Sequence, residues 1–184
     1  MKYFIASDIH GSAYYCEKML EAYRKEEADR LVLLGDLLYH GPRNDLPRDY
    51  APKRVIEMLN ELKNEIFCVR GNCDTEVDQM VLEFPILADY ALLDGGNRRA
   101  VFVTHGHKYN LSALPPMKAG DILLHGHTHI PACETKDGIT YLNPGSVSIP
   151  KENSAHSYMI FENGVFTNKS LDGETVFRFS AESC

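Results

Sequence analysis

The chain has 184 residues and 44% hydrophobic content, which fits one domain with a sizeable core, and no stretch is apolar enough to span a bilayer. Its formal charge of -7 opposes the long-range attraction needed to grip many nucleic-acid phosphates, so a small substrate is expected and duplex nucleic acid is not. Five scattered cysteines (Cys16, Cys68, Cys73, Cys133, Cys184) form no CxxC pair, which argues against a disulfide framework or structural zinc site and reads as reduced thiols.

The opening "MKYFIASDIH" interrupts its apolar residues with polar and charged ones and lacks the core of a signal peptide, so a cytoplasmic location is expected. "YFIAS" reads as a buried strand. Ser12 then stands as N-cap to the helical pattern "SAYYCEKMLEAYRKEE", whose Cys16, Met19, Leu20 and Tyr23 form one apolar stripe. "LVLLGD" is a second strand. The irregular stretch 40–52, "HGPRNDLPRDYAP", has the length of a functional loop. Pro52 opens a second helix with Val55, Ile56, Leu59 and Leu62 on one face, and "IFCVRG" is a third strand. From Ile86 onward strands alternate with the turns DGGN, KDG, ENG and LDGE. Parallel-type strands followed by hairpins predict an α/β fold over residues 1–184: two β-sheets packed as a sandwich, with helices on both outer faces.

The polar groups fall at strand ends. Asp8 and His10 follow the first strand, Asp36 the second, and Asn72 and Asp74 the third; His105 and His107 follow "AVFVT", and His125, His127 and His129 follow "DILL". Ligands collect at such ends in α/β sheets, and a mixed Asp, Asn and His set suits divalent transition metals. Glycines among the clusters (Gly11, Gly35, Gly71, Gly106, Gly126) permit tight turns and close backbone approach. Each motif alone reads as an ordinary polar turn; the combination in one small domain does not.

"SDIHG", "GDLLYHGP", "RGNCD", "THGH" and "GHTH", in this order, resemble the calcineurin-like metallophosphoesterases, and "NPGSVSIPK" strengthens the similarity to their small bacterial phosphodiesterases. The resemblance implies one metal held by Asp8, His10, Asp36 and His129 and a second by Asp36, Asn72, His105 and His127, with Asp36 bridging. Two divalent ions roughly 3.5 to 4 Å apart share a water, lower its pKa, and make the bridging hydroxide the nucleophile on phosphorus. Manganese is the expected ion; nickel, iron and zinc also suit these donors. Only two of the implied ligands are anionic, so the loaded site keeps positive charge and binds a phosphodiester despite the acidic chain.

Relatives carry GDxxDRG where Tyr39 and His40 stand here, and a proton-donating histidine where Cys73 stands. Cys73 and Asp74 are the candidate catalytic groups: the first by position, the second by orienting a neighbour through hydrogen bonds, or else as an acid at a helix N-terminus. His40 and Arg43 on the long loop are the candidate substrate contacts. His107 and His125 read as supporting or turn residues, and His156 as surface. The function expected is hydrolysis of a small phosphodiester. The alternatives are a non-enzymatic scaffold, since a retromer subunit shares the fold, and a nuclease. Closed symmetric assemblies are common, so a homo-oligomer is expected.

Overall fold

The computed structural model describes residues 1–181, and Cys184 lies outside them. Alternating apolar runs and amphipathic segments form β1 (Tyr3–Ala6), α1 (Ala13–Glu26), β2 (Arg30–Leu33), α2 (Pro52–Asn60) and β3 (Ile66–Cys68). Ser12 caps α1 by accepting from the Tyr15 N–H at 3.3 Å, and its hydroxyl donates to the Arg48 carbonyl at 2.5 Å. That second bond ties the start of the helix to the long loop. Pro52 occupies the first turn of α2, where its missing N–H costs nothing. A single turn, α3 (Glu76–Gln79), follows with Thr75 and Asp78 as its capping box. The rest is β4 (Tyr90–Asp94), β5 (Ala100–Thr104), β6 (Ile122–Leu124), β7 (Pro131–Lys136), β8 (Ile139–Pro144), β9 (Ser157–Glu162), β10 (Val165–Ser170) and β11 (Thr175–Ser180). The four anticipated turns all separate paired strands.

The strands make two sheets, ordered β11-β10-β9-β1-β2-β3 and β4-β5-β6-β8-β7. Sheet membership does not divide at the middle of the chain. β1, β2 and β3 are parallel, but the hairpin strands β9 to β11 return to extend the same sheet from β1. In the second sheet β5, β6 and β8 are parallel, with antiparallel edges β4 and β7. Parallel neighbours need a crossover of a dozen or more residues, and 105–121 supplies one without a helix.

Between the sheets, Ile5, Val32 and Leu34 pack in one cluster with Val103, Leu124 and Leu142. Helices α1 and α2 cover the outer face of the first sheet, placing Cys16, Met19, Leu20, Val55 and Leu59 in a cluster with Phe4 and Leu31. The sandwich is as expected, but the helix layer on the second outer face is not found among the described residues. There the irregular segment 105–121 lays Tyr109, Leu111 and Met117 over Phe102, Leu123 and Ile139. Pro115, Pro116 and Gly120 in that segment disfavour a helix. No helix among the described residues is long and apolar enough to cross a membrane.

Glu26, at the C-terminal end of α1, fastens the helix to the sheet. Its carboxylate accepts from Lys169 at 2.7 Å and from the Tyr158 hydroxyl at 2.9 Å, with Lys2 at 3.4 Å. Partial burial opposes the charge, yet the bonds from Lys169 and Tyr158 outweigh it and hold the carboxyl below its ordinary pKa. A depressed pKa contributes stability that is present above the unfolded value and lost as pH falls through the folded one. Glu26→Gln should therefore lower the urea midpoint at pH 7, and the gap to the parent should narrow as pH falls below the unfolded carboxyl value and through the lowered folded one.

Candidate metal centre

All five strand ends named from the sequence open on one edge of the sandwich, because β1, β2 and β3 run parallel in one sheet and β5 and β6 run parallel in the other. The backbone just beyond them is unusual. Asp8, His10, Asp36, His127 and His129 all have positive φ, between 49° and 67°. Such conformations cost energy for a side-chain-bearing residue and persist only where surrounding bonds fix them. Asp8 N–H donates to Gly35 O at 3.1 Å and His10 N–H to Asp36 O at 2.9 Å, locking the first loop to the second. The hydroxyls of Ser146 and Ser148 each donate to the Asp8 carbonyl at 2.9 Å.

Three imidazoles are pinned from behind. The Nδ1–H groups of His10, His105 and His129 each donate, at 2.7 Å, to the carbonyls of Tyr39, Leu34 and Ile149. In the neutral tautomer this leaves Nε2 of all three as bare acceptors, and they converge. His10 Nε2 lies 3.3 Å from His129 Nε2, with Asp8 Oδ1 at 3.5 and 3.3 Å from the two. His105 Nε2 lies 3.1 Å from Asn72 Oδ1 and 3.1 Å from His127 Nδ1. Asp36 Oδ2 faces His10 Nε2 at 3.6 Å and His105 Nε2 at 3.5 Å, which puts this oxygen between the two groups. Lone pairs this close repel unless a proton or cation lies between them.

The electrostatics of the cluster favour protons at some of these nitrogens. Burial opposes charge on His105, but the Asp36 hydrogen bond and the Asp8 and Asp36 charges outweigh it and raise the ring to about 9. His10 is raised by Asp8 and Asp36 against the same burial cost. His127 is pushed down to about 4, by burial first and then by its charged neighbour His105. Both carboxylates are held low: burial opposes their charge, but His10 and His129 outweigh it at Asp8, as His105 does at Asp36. Asp8 Oδ1 is buried with no hydrogen-bond partner. Ligand atoms of Asp8, His10 and His129, and of Asp8, Asp36 and His105, lie within 4.8 Å of one another. A buried carboxylate oxygen flanked by imidazole nitrogens at 3.3 and 3.5 Å is what a bound cation would satisfy, so these residues fit divalent metal.

Asp74 is buried and does not begin a helix; Thr75 caps α3. Its carboxylate accepts from the backbone N–H groups of Asp36, Leu37 and Gly71, at 2.8, 2.9 and 2.7 Å. It thereby clamps the β2 loop to the β3 loop and touches the candidate ligands only through their backbone. Cys73 N–H donates to Asp36 Oδ1 at 2.8 Å, and its sulfur accepts from Asn72 Nδ2 at 3.2 Å, turning Asn72 Oδ1 toward His105. Burial and then the Asp36 charge push the thiol pKa up, so it stays protonated.

A cavity of about 380 Å³ opens over the cluster, and Arg43 and Lys151 line it together with His10, Asp36, Asn72 and His129. His40 is not among the residues that line it; its ring sits edge-on to Tyr39 and Tyr50, at 4.8 and 5.2 Å. His125 is buried against Tyr141 beneath Gly106, and burial lowers its pKa to about 4, which fits a turn residue. His107 stands beside His105, ring centres 5.4 Å apart, half-buried and with Nδ1 unpartnered. His156 is not merely surface: it stacks on Tyr15 at 3.9 Å and bonds the Val147 carbonyl. Sequence reasoning missed Lys151 and the two serines; the dense "NPGSVSIPK" tract was the only signal for them.

Residues 1–164 match the calcineurin-like phosphoesterase superfamily domain, and the chain belongs to that family. It is 46% identical over 178 residues to phosphodiesterase YfcE of Escherichia coli strain K12, covering 96% of this chain and 95% of that protein. The solved structure of the E. coli phosphoesterase superimposes with a TM-score of 0.94 over 98% of this chain and all of the other, at 44% identity. Zinc-complexed Vps29 of Entamoeba histolytica, at 20% identity and a TM-score of 0.61 over 98% of this chain and 99% of that one, shares the fold.

The clamp depends on space at Gly71, where an added Cβ would collide with the Asp36 backbone and carboxylate. Gly71→Ala should cost about 1–3 kcal/mol, as overpacking does. It should also abolish stoichiometric uptake of divalent metal, checked by thermal unfolding and by metal analysis after gel filtration.

Proposed function

We propose that the chain hydrolyses a small phosphodiester at a two-ion centre, with Asp8, His10, Asp36 and His129 holding one ion and Asp36, Asn72, His105 and His127 the other. The carrying observation is the convergence of imidazole nitrogens and carboxylate oxygens within 4.8 Å of one another, in a chain of this family. We assign manganese from the mixed oxygen and nitrogen donor set. Two divalent ions, when bound, would supply an activated water and offset the charge developing on phosphorus.

The residues of the chain do the positioning. Backbone carbonyls fix three imidazole tautomers, and the shared oxygen of Asp36 links the two halves. Arg43 and Lys151, on the wall of the same cavity, hold the phosphate oxygens and orient the diester. Cys73 remains a protonated thiol, a weak donor to a departing oxygen, so little general acid help reaches the leaving group. The relatives' activity supports this reading: those 46% identical and matched almost end to end are phosphodiesterases. A cytoplasmic setting agrees with the free thiols Cys16, Cys68, Cys73 and Cys133.

With manganese the protein should hydrolyse bis(4-nitrophenyl) phosphate and lose the activity to chelator; hydrolysis that survives chelation overturns the reading. Asp36→Asn should remove more turnover and more bound metal than His107→Ala, measured on the same samples. Across aryl diesters of rising leaving-group pKa, turnover should fall steeply in the parent. Cys73→His should gain most on the poorest leaving groups, up to the 10² to 10⁴-fold that general acid catalysis typically contributes. Cys73→Ala should change little, because the main-chain N–H to Asp36 survives and the N–H···S contact it removes is weak.

A further inference from the structure

Beside the candidate metal cavity lies a second one of about 420 Å³, and Cys73 stands on the wall of both. Leu38, Tyr39, Tyr50, Ile56, Val77 and Val81 supply most of its lining. Tyr39, Val77 and Val81 are exposed at 43%, 69% and 44%, so the groove is open to solvent. Its lining contains no Lys, Arg or His. Its one carboxylate, Asp78, is occupied by the backbone and hydroxyl of Thr75 at 2.7 and 2.8 Å. The neighbouring cavity is the opposite in character, with Arg43, Lys151 and three histidines.

The two are joined by backbone as well as by Cys73. The Tyr39 carbonyl fixes His10, while the Tyr39 ring forms part of the groove. A diester centred on the metal cavity would therefore extend one arm across Cys73 into this groove. Without a cation, the groove does not favour a second phosphate. Its apolar walls favour an uncharged, hydrophobic group.

Resting on the diesterase reading above, we propose that this groove is the subsite for one ester arm, and that the substrate is a phosphodiester with a neutral apolar arm. Specificity then lies in Tyr39, Ile56, Val77 and Val81, while the histidine cluster handles the phosphate.

The test keeps the leaving group constant. 4-Nitrophenyl esters of methyl, butyl and octyl phosphate are hydrolysed with manganese, and kcat/KM is compared across the series. Burying each methylene at about 0.8 kcal/mol gives up to roughly fourfold per carbon, so the butyl ester should exceed the methyl ester by on the order of tenfold or more. Val77→Asp and Val81→Asp, both at exposed positions, should flatten that dependence in protein that retains its thermal midpoint and bound manganese. Unhydrolysable alkyl methylphosphonates should follow the same order of affinity by calorimetry. A parent series flat in both readouts overturns the subsite, as does an undiminished slope in both variants. An unchanged slope with an altered sedimentation coefficient in Val77→Asp would assign the groove to a second copy of the chain instead. Failure to hydrolyse any ester, the methyl included, removes the diesterase reading and this proposal with it.

Discussion

The structure depends on one electrostatic constraint: imidazole nitrogens and carboxylate oxygens held close together in a buried cluster. His10 and His129 face each other through Nε2 at 3.3 Å, and His105 faces Asn72 Oδ1 at 3.1 Å. Left alone, such a cluster disperses or takes up protons, and the raised pKa of His105 is that second response. The rest of the molecule resists the dispersal. Carbonyls of Leu34 and Tyr39, in the loop after β2, and of Ile149, in the loop after β8, fix the rings from behind, so neither loop can relax without breaking a bond to a ring carried by another.

Backbone geometry bears the cost. Five of the seven candidate ligands adopt positive φ, and the loops that carry them are cross-linked by backbone bonds such as Asp8 N–H to Gly35 O. Asp74 is the hub on one side, accepting three N–H groups from two loops in a buried setting. Ser146 and Ser148 serve the other side by holding the Asp8 carbonyl. The strained ligand loops sit above a core in which Phe4 to Ala6 of β1 and Leu31 to Leu33 of β2 are fully buried, and that core supplies the rigidity they need.

Charge is arranged on two scales. The chain is acidic overall, yet Arg43 and Lys151 border the candidate metal cavity, and a loaded site would add the largest local charges. Cys73 sits where this local field meets an apolar groove. Its main-chain N–H and its sulfur both act on candidate ligands, Asp36 and Asn72, so the residue organises the site even though its thiol stays protonated.

Much of this was legible in the sequence because local chemistry enforces it. Ser12 and Pro52 mark helix starts through capping and a fixed φ, glycine-bearing turns mark the hairpins, and polar residues directly after apolar runs mark the strand ends. Two features rested on residues far apart in the chain and were not legible. The return of β9 to β11 to the first sheet, and a proline-bearing segment where a helix layer was expected, follow from which face remained uncovered after collapse. The same holds for Lys151, brought to the cavity from beyond β8. The sequence by itself determined which donors the candidate site has, because motif spacing puts each one at a strand end. Only the tertiary structure decided which atoms face one another, because the carbonyls and carboxylates that aim each ring come from loops tens of residues away.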